Sequence, residues 1–407
     1  MSKKGKYQRV QPKKVLAWWK ILLIVLAVLV LLVGVVAAFG WSYIKGLVGH
    51  VQQATYQENE LSKEELEEIL GGTVSFEEST EPVETKPAET KPVESKPAET
   101  KPAGTSKPPA SQTEKDYGEM GKLINIMLIG QSYRPGEETK LADSMILCTL
   151  NRETNTLTMT SFLRDTYVQL PNYNGMICGM QRINVCYNLG WRSAGDLGGM
   201  EMLDLLILNN FGVEVDYNIE INFNAVIKIV DLMGGVPVVL TEDEAKFMTD
   251  FDQCKGSFDP GLNVLAGDAA LVYARIRTSS ATDNDFNRTA RQRNLITQII
   301  KKCMGMNPKE LNKLLEEALP MILTDMEDDE ILEMAKIAIS MLSNLKIDSN
   351  QCPAEGTYAG KVVQIYGQDA GVLVPNLYSN QLIMTAIAEE GKSVEEAMAM
   401  LEELKNG

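Results

Sequence analysis

The segment DYNIEINFNAVIKIVDLMGGVPVVL, residues 216–240, changes its apolar period twice. From Tyr217 to Phe223 apolar and polar residues alternate, which is the period of a half-buried strand. From Ala225 the apolar positions Val226, Ile229, Val230 and Met233 recur at helical spacing, and Gly234–Gly235 stops the helix. Val236–Leu240 is then an apolar run of strand length. Strand, helix and strand in so short a span predict an α/β domain rather than a bundle or a sandwich.

The flanking sequence extends this pattern in both directions. LINIMLIG (123–130) is an apolar strand ending in glycine, and MILCTLN (145–151) and TLTMTSF (156–162) read as a hairpin turning at Asn151–Asn155. GGMEMLDLLILNNFG (198–212) is a helix ending at Gly212, ALVYARIR (270–277) reads as a strand, and FNRTARQRNLITQIIKKC (286–303) as a helix. The tail adds two helices (308–323 and 330–345), a turn-rich stretch (351–376) and a last helix pair. Near-continuous apolar strands suit burial on both faces, so the expected fold is a three-layer α/β/α domain with a mixed central sheet, over residues 117–407.

The N-terminal part has a different composition. Residues 1–15 carry Lys3, Lys4, Lys6, Arg9, Lys13 and Lys14 with no acid. The apolar run from Leu16 to Phe39 exceeds the roughly 20 residues that cross a hydrocarbon core, and Trp18, Trp19, Trp41 and Tyr43 flank it as interfacial aromatics. The expectation is a transmembrane anchor at 16–44 with a cytoplasmic N-terminus and an extracellular C-terminal domain. The apolar run is too long for a signal peptide, and AAFGWSYIKG offers a poor cleavage site. Residues 45–72, with LSKEELEEIL as a short helix, read as a stalk. Residues 73–116 repeat E-[TS]-K-P units that cannot bury a core, and so read as a linker.

Six cysteines lie beyond the anchor, where disulfides are permitted. Cys148 reads as a buried thiol, and Cys178 with Cys186 as a potential pair. The only histidine, His50, stands beside the anchor, which removes Ser-His-Asp triads, Cys-His dyads and histidine metal sites from the domain. Carboxylates, arginines, hydroxyls or a hard metal ion must carry any catalysis. No phosphate-binding glycine loop of the P-loop or dinucleotide type occurs. An acidic extracellular chain of net charge −16 also argues against nucleic acid as a partner.

Within that acidic chain, residues 273–293 gather five arginines. Read as strand residues, Arg275 and Arg277 share a face. Arg288, Arg291 and Gln292 follow at i, i+3 and i+4 of the next helix. Guanidinium forks bind phosphate oxygens in pairs, so the cluster suits a diphosphate. The alternative is that Asp283 and Asp285 neutralise part of it. A second cluster joins Asp143, before one strand of the hairpin, to Arg164 and Asp165, after the other. Asp143 is a hard oxygen ligand of the type Mg2+ takes with substrate phosphates; alternatively Asp143 and Arg164 form an ion pair that orders two loops. Arg182 follows a Gly-rich loop, and Arg134 follows the first strand.

Taken in order, LIGQSYRPG, ADSMILCTLN, MTSFLRDTYVQLP, RINVCYN, FNAVIKIVDLMGGVPVVL, GLNVLAGDAALVYARIR and DNDFNRTARQRNLI resemble the LytR-CpsA-Psr family of envelope proteins. The resemblance implies a phosphotransferase that moves a phospho-glycopolymer (teichoic acid, capsule or similar) from a polyprenyl-pyrophosphate carrier to peptidoglycan. It implies that Asp143 helps hold Mg2+ or Mn2+, and that Arg164 contacts the pyrophosphate. Asp165 either orients Arg164 or assists the acceptor hydroxyl. Arg182 stands at a lysine position of the family, and Arg275, Arg277, Arg288, Arg291 and Gln292 match its pyrophosphate-binding cluster. Ser132 departs from the pattern, standing where many members have a metal-ligating aspartate. A polyprenyl pyrophosphatase and a non-catalytic wall-polymer-binding regulator are the competing functions.

Overall fold

The computed structural model describes residues 46–57, 120–131, 139–251, 256–277, 285–341, 345–365 and 367–406, with Asn59, Leu61, Ser62, Glu65, Ser75, Phe76 and Cys254. The expected anchor, most of LSKEELEEIL, most of the linker, Ser132, Arg134 and Asp283 lie outside them. Among the described residues no helix is long and apolar enough to cross a membrane.

In chain order the elements begin with β1 (Gln52–Gln53), β2 (Ser75–Phe76), β3 (Leu123–Gln131), β4 (Ala142–Asn151) and β5 (Thr156–Phe162). Next come β6 (Tyr167–Gln169), β7 (Met176–Ile177), β8 (Met180–Arg182) and α1 (Val185–Phe211), then β9 (Tyr217–Asn222), α2 (Phe223–Leu232) and β10 (Val236–Leu240). After α3 (Glu242–Asp250), β11 (Gly261–Leu265), α4 (Gly267–Arg275) and α5 (Asp285–Cys303) come α6 (Pro308–Ala318), β12 (Ile322–Thr324) and α7 (Asp328–Met341). The chain closes with β13 (Lys346–Cys352), the hairpin β14 (Tyr358–Ile365) and β15 (Gln368–Pro375), α8 (Leu377–Ala388) and α9 (Val394–Asn406).

Seven strands form the central sheet in the order β1-β12-β9-β3-β4-β5-β13, mixing parallel and antiparallel pairs. Alternation along β3 sends Ile124, Ile126 and Leu128 to one face and Met127 and Ile129 to the other. The first set packs with α2, α4, α5, α6 and α7, the second with α1 and α8. These are the three layers expected. The opening segment folds as its two periods require. Asn222 caps α2 by accepting from Ala225 N at 2.9 Å, and Gly234 and Gly235 take φ of 70° and 84°, which favour glycine. The carboxyl ends of β3, β5, β9 and β13 and the start of β4 meet at one edge, the usual position of a site in an open α/β sheet.

Four sequence expectations change. Residues 270–277 are not a strand. Ala269, Ala270, Tyr273 and Ala274 are buried at helical spacing in α4, whose first residue fits so tightly that a Cβ on Gly267 would lie 2.2 Å from the Ile227 carbonyl oxygen. Residues 46–57 are not a stalk, because Leu47, Val48 and Val51 are buried in the core and β1 pairs with β12 at the sheet edge. Ser75–Phe76, at the start of the linker range, pairs with β7. Cys178 and Cys186 do not pair: all six cysteines are buried and free, and Cys186 Sγ donates to the Met202 carbonyl at 3.2 Å. Burial pushes the Cys148 thiol up to about 12 and Cys178 to about 11, so neither is a ready nucleophile.

On the α1 side, Lys140 Nζ lies 2.6 Å from Glu220 and 2.8 Å from Asp196, and Tyr187 also donates to Glu220. Burial raises the Glu220 carboxyl, and Lys140 is what most opposes that rise. Lys140→Met is therefore expected to lower unfolding free energy by about 3–5 kcal/mol in urea titration, because it strands a buried carboxylate. A loss below about 1 kcal/mol would mean that the network contributes little.

Candidate active site

The hairpin brings its two ends together as expected. Arg164 Nη1 lies 3.8 Å from Asp143, while Arg164 Nε lies 3.7 Å from Asp165 and 3.8 Å from Asp285. Arg182 Nε stands 3.5 Å from Asp165, and its Nη2 donates to the Gly371 carbonyl at 3.2 Å. From the start of α5, Asp285 pairs with Arg288 at 2.7 Å and with Arg277 at 3.4 Å. Asp285 is thus the hub that the neutralisation alternative required, but it serves three arginines at once.

Four arginines face three aspartates here, and all but one of the separations exceed the 2.7–2.9 Å of a good charge-assisted hydrogen bond. Among the described residues, Nε of Arg164, Arg182 and Arg288 is buried without a hydrogen-bond acceptor. Buried N–H groups normally have a partner, so these donors can take a further acceptor; Asp285 Oδ2 beside them lacks a donor as well. Burial lowers the affinity of Arg288 for its proton; Asp285 opposes this most, and Arg164 and Arg277 add to it. A phosphate among these groups would relieve both burial and mutual repulsion.

The other predicted residues divide. Gln292, one turn along α5 from Arg288, accepts from Ser144 Oγ, next in sequence to Asp143, at 3.0 Å. Arg291 turns away: its Nε donates to Glu244 at 2.7 Å and its Nη1 to the Ile276 carbonyl at 3.1 Å, tying α5 to α3. Arg275 leaves α4 to lie over the Phe223 ring, 4.9 Å from its centroid. The sequence reading missed Arg293 as a site candidate. It is 8% exposed, donates to Ser161 Oγ at 2.6 Å, and is lowered to about 10 by burial alone. Its presence in the five-arginine stretch was the available signal.

Ser144, Gln292 and Arg275 also line, with Thr324, an otherwise apolar cavity between the sheet and the α2, α4 and α5 layer. Leu128, Ile146, Ile221, Val226, Leu295 and Ile299 supply its walls, and Val51 of the N-terminal segment closes one side. The cavity volume is about 180 Å³. The metal expectation meets a sparse donor set. Asp143 is a single carboxylate, and among the described residues no three His, Cys, Asp or Glu side chains gather as a metal cluster. This fits an ion that takes its remaining ligands from phosphate and water.

The architecture and the sequence have relatives. The family model described as LytR_cpsA_psr matches residues 85–374. Biofilm regulatory protein A of Streptococcus mutans is 29% identical over 217 residues, 48% of this chain and 50% of that protein. The polyisoprenyl-teichoic acid–peptidoglycan teichoic acid transferase TagU of Bacillus anthracis is 28% identical over 244 residues, 60% of this chain and 73% of that protein. The chain therefore matches half the length of the first relative and about three quarters of the second. In solved structures, protein gbs0355 from Streptococcus agalactiae superposes with a TM-score of 0.54 at 24% identity, covering 66% of this chain and 88% of that one. A structure of TagT bound to LIIa-WTA gives 0.50 at 20% identity, covering 68% and 94%. These two show a common fold. With the family match spanning most of the domain and the mixed α/β sheet beneath it, the chain belongs to the LytR_cpsA_psr family.

Proposed function

We propose that this protein transfers a phospho-glycopolymer from a polyprenyl-pyrophosphate carrier to peptidoglycan, outside the cell and anchored by residues 16–44. The observation that carries the reading is a cluster of arginines with unpartnered buried N–H groups, one turn of α5 from Gln292, which lines an apolar cavity. A lipid pyrophosphate has that same division into a dense anion and an apolar chain. The name of TagU supports transfer as the chemistry.

Arg164, Arg182, Arg277 and Arg288 hold the pyrophosphate and the charge that grows on its oxygens during transfer. The acceptor hydroxyl oxygen attacks the glycan-bearing phosphorus, and the bond from that phosphorus to the bridging oxygen breaks. Polyprenyl phosphate leaves with the electron pair. Asp165, which accepts no short hydrogen bond from Arg164 or Arg182, receives the hydroxyl proton and passes it to solvent. Asp143 would hold Mg2+ or Mn2+, which when bound lowers the charge of the pyrophosphate.

Incubating the full chain in detergent with a polyprenyl-pyrophosphate-linked glycan and a soluble peptidoglycan oligomer tests this reading. The expected result is a ligated oligomer together with polyprenyl phosphate. Free phospho-glycan without ligation would replace the reading with a pyrophosphatase, and binding without turnover would leave a regulator.

A further inference from the structure

The β14–β15 hairpin forms a wall of the arginine site. Leu373 N donates to the Asp165 carbonyl at 2.9 Å, Gly371 O accepts from Arg182, and the Phe286 ring, next to Asp285, stacks on Tyr358 at 5.2 Å. Strand alternation puts Tyr358, Gly360, Val362 and Gln364 on one face, opposite Pro375, Leu373, Gly371 and Asp369 across the ladder. Gly360 and Gly371 have ordinary φ, and a Cβ added to either would meet nothing within 4 Å. Val362 on the same face is 69% exposed. Beyond it, Gln364 donates to Asp369. The result is an open strip about 20 Å long, aromatic at the site end and polar at the tip.

Direction follows from the contacts. From Gln292 in the cavity wall, one turn of α5 leads back to Arg288, and ion pairs then run through Asp285, Arg164, Asp165 and Arg182 to the hairpin. Phosphoryl transfer places the attacking and leaving oxygens roughly in line. If the lipid leaves on the cavity side, the nucleophile must come from the Asp165 side, where the strip ends.

We propose that this strip seats the acceptor glycan. A sugar presents C–H faces to an aromatic ring and hydroxyls to amide and carboxylate groups, which is the chemistry that Tyr358, Gln364 and Asp369 offer. The two glycines leave gaps in this face, beside Val362 on one strand and Leu373 on the other, where a sugar can approach the backbone and bring one hydroxyl to Asp165. This assignment rests on the transfer reading above and adds to it where the second substrate binds.

Gly360→Leu raises a side chain from the floor without a backbone or Cβ clash, and Tyr358→Ala removes the aromatic end. With full-length protein and a soluble peptidoglycan oligomer, each variant is expected to raise the apparent KM for the oligomer tenfold or more. The Kd for polyprenyl pyrophosphate, titrated without oligomer, should move less than twofold. Unchanged KM in both variants, or a Kd that moves as much as KM, overturns the proposal. Should the wild type transfer nothing, the transfer reading fails separately, and calorimetry with the oligomer still tests the strip. Binding weakened by Gly360→Leu then supports it, and equal binding overturns it.

Discussion

Arg164→Ala should lower the transfer rate about 10³-fold, the scale at which a donor to a developing phosphoryl or oxyanion charge acts. At 1.36 kcal/mol per decade this is about 4 kcal/mol of transition-state stabilisation. Among the described residues, Arg164 is the side chain that meets Asp143, Asp165 and Asp285 together. Arg182, Arg277 and Arg288 remain in the variant, so ground-state affinity for the lipid pyrophosphate should fall less than turnover. The measurement is single-turnover transfer beside an equilibrium titration with polyprenyl pyrophosphate. Arg164→Lys should recover only part of the loss, since a point charge cannot replace a planar fork. Alanine-variant turnover within tenfold of wild type would remove Arg164 from the mechanism.

Val226→Trp should weaken binding of a long-chain polyprenyl pyrophosphate about 10³-fold while leaving inorganic pyrophosphate binding unchanged. Val226 is half-buried on α2 and lines the cavity, so an indole there occupies space instead of overpacking a closed core. Excluding one five-carbon isoprene unit costs about 0.8 kcal/mol per carbon, about 4 kcal/mol in all. Titrations with prenyl chains of increasing length would show affinity that stops growing at shorter length in the variant. Equal affinity for long chains in variant and wild type would place the lipid elsewhere.

Legibility in the sequence followed the range of the forces involved. The strand–helix–strand reading of 216–240 rests on local periods, and the Asp143–Arg164 meeting rests on a short hairpin; both were visible without tertiary information. ALVYARIR was misread because a short apolar run has no period long enough to separate strand from helix. Tertiary burial of Ala269, Ala270, Tyr273 and Ala274 sets it as a helix, whose first amide, Gly267 N, donates to Asp231 at 2.7 Å. Arg288 and Arg291 lie one turn apart and looked equivalent. Their fates diverge because Glu244, remote in sequence, captures Arg291 and leaves Arg288 to the site. A two-residue strand such as β1 carries no pattern at all, so its place at the sheet edge had no signature.

That edge strand also recasts the proline-rich repeat. The chain is fastened at β1 before the repeat, again at β2, and at β3 after it, so the repeat begins and ends on one body. It is an insertion with fixed ends, and the closure entropy of such a loop grows only logarithmically, by about 0.6 kcal/mol per doubling of length. The number of repeat units is therefore nearly free to vary without cost to the domain.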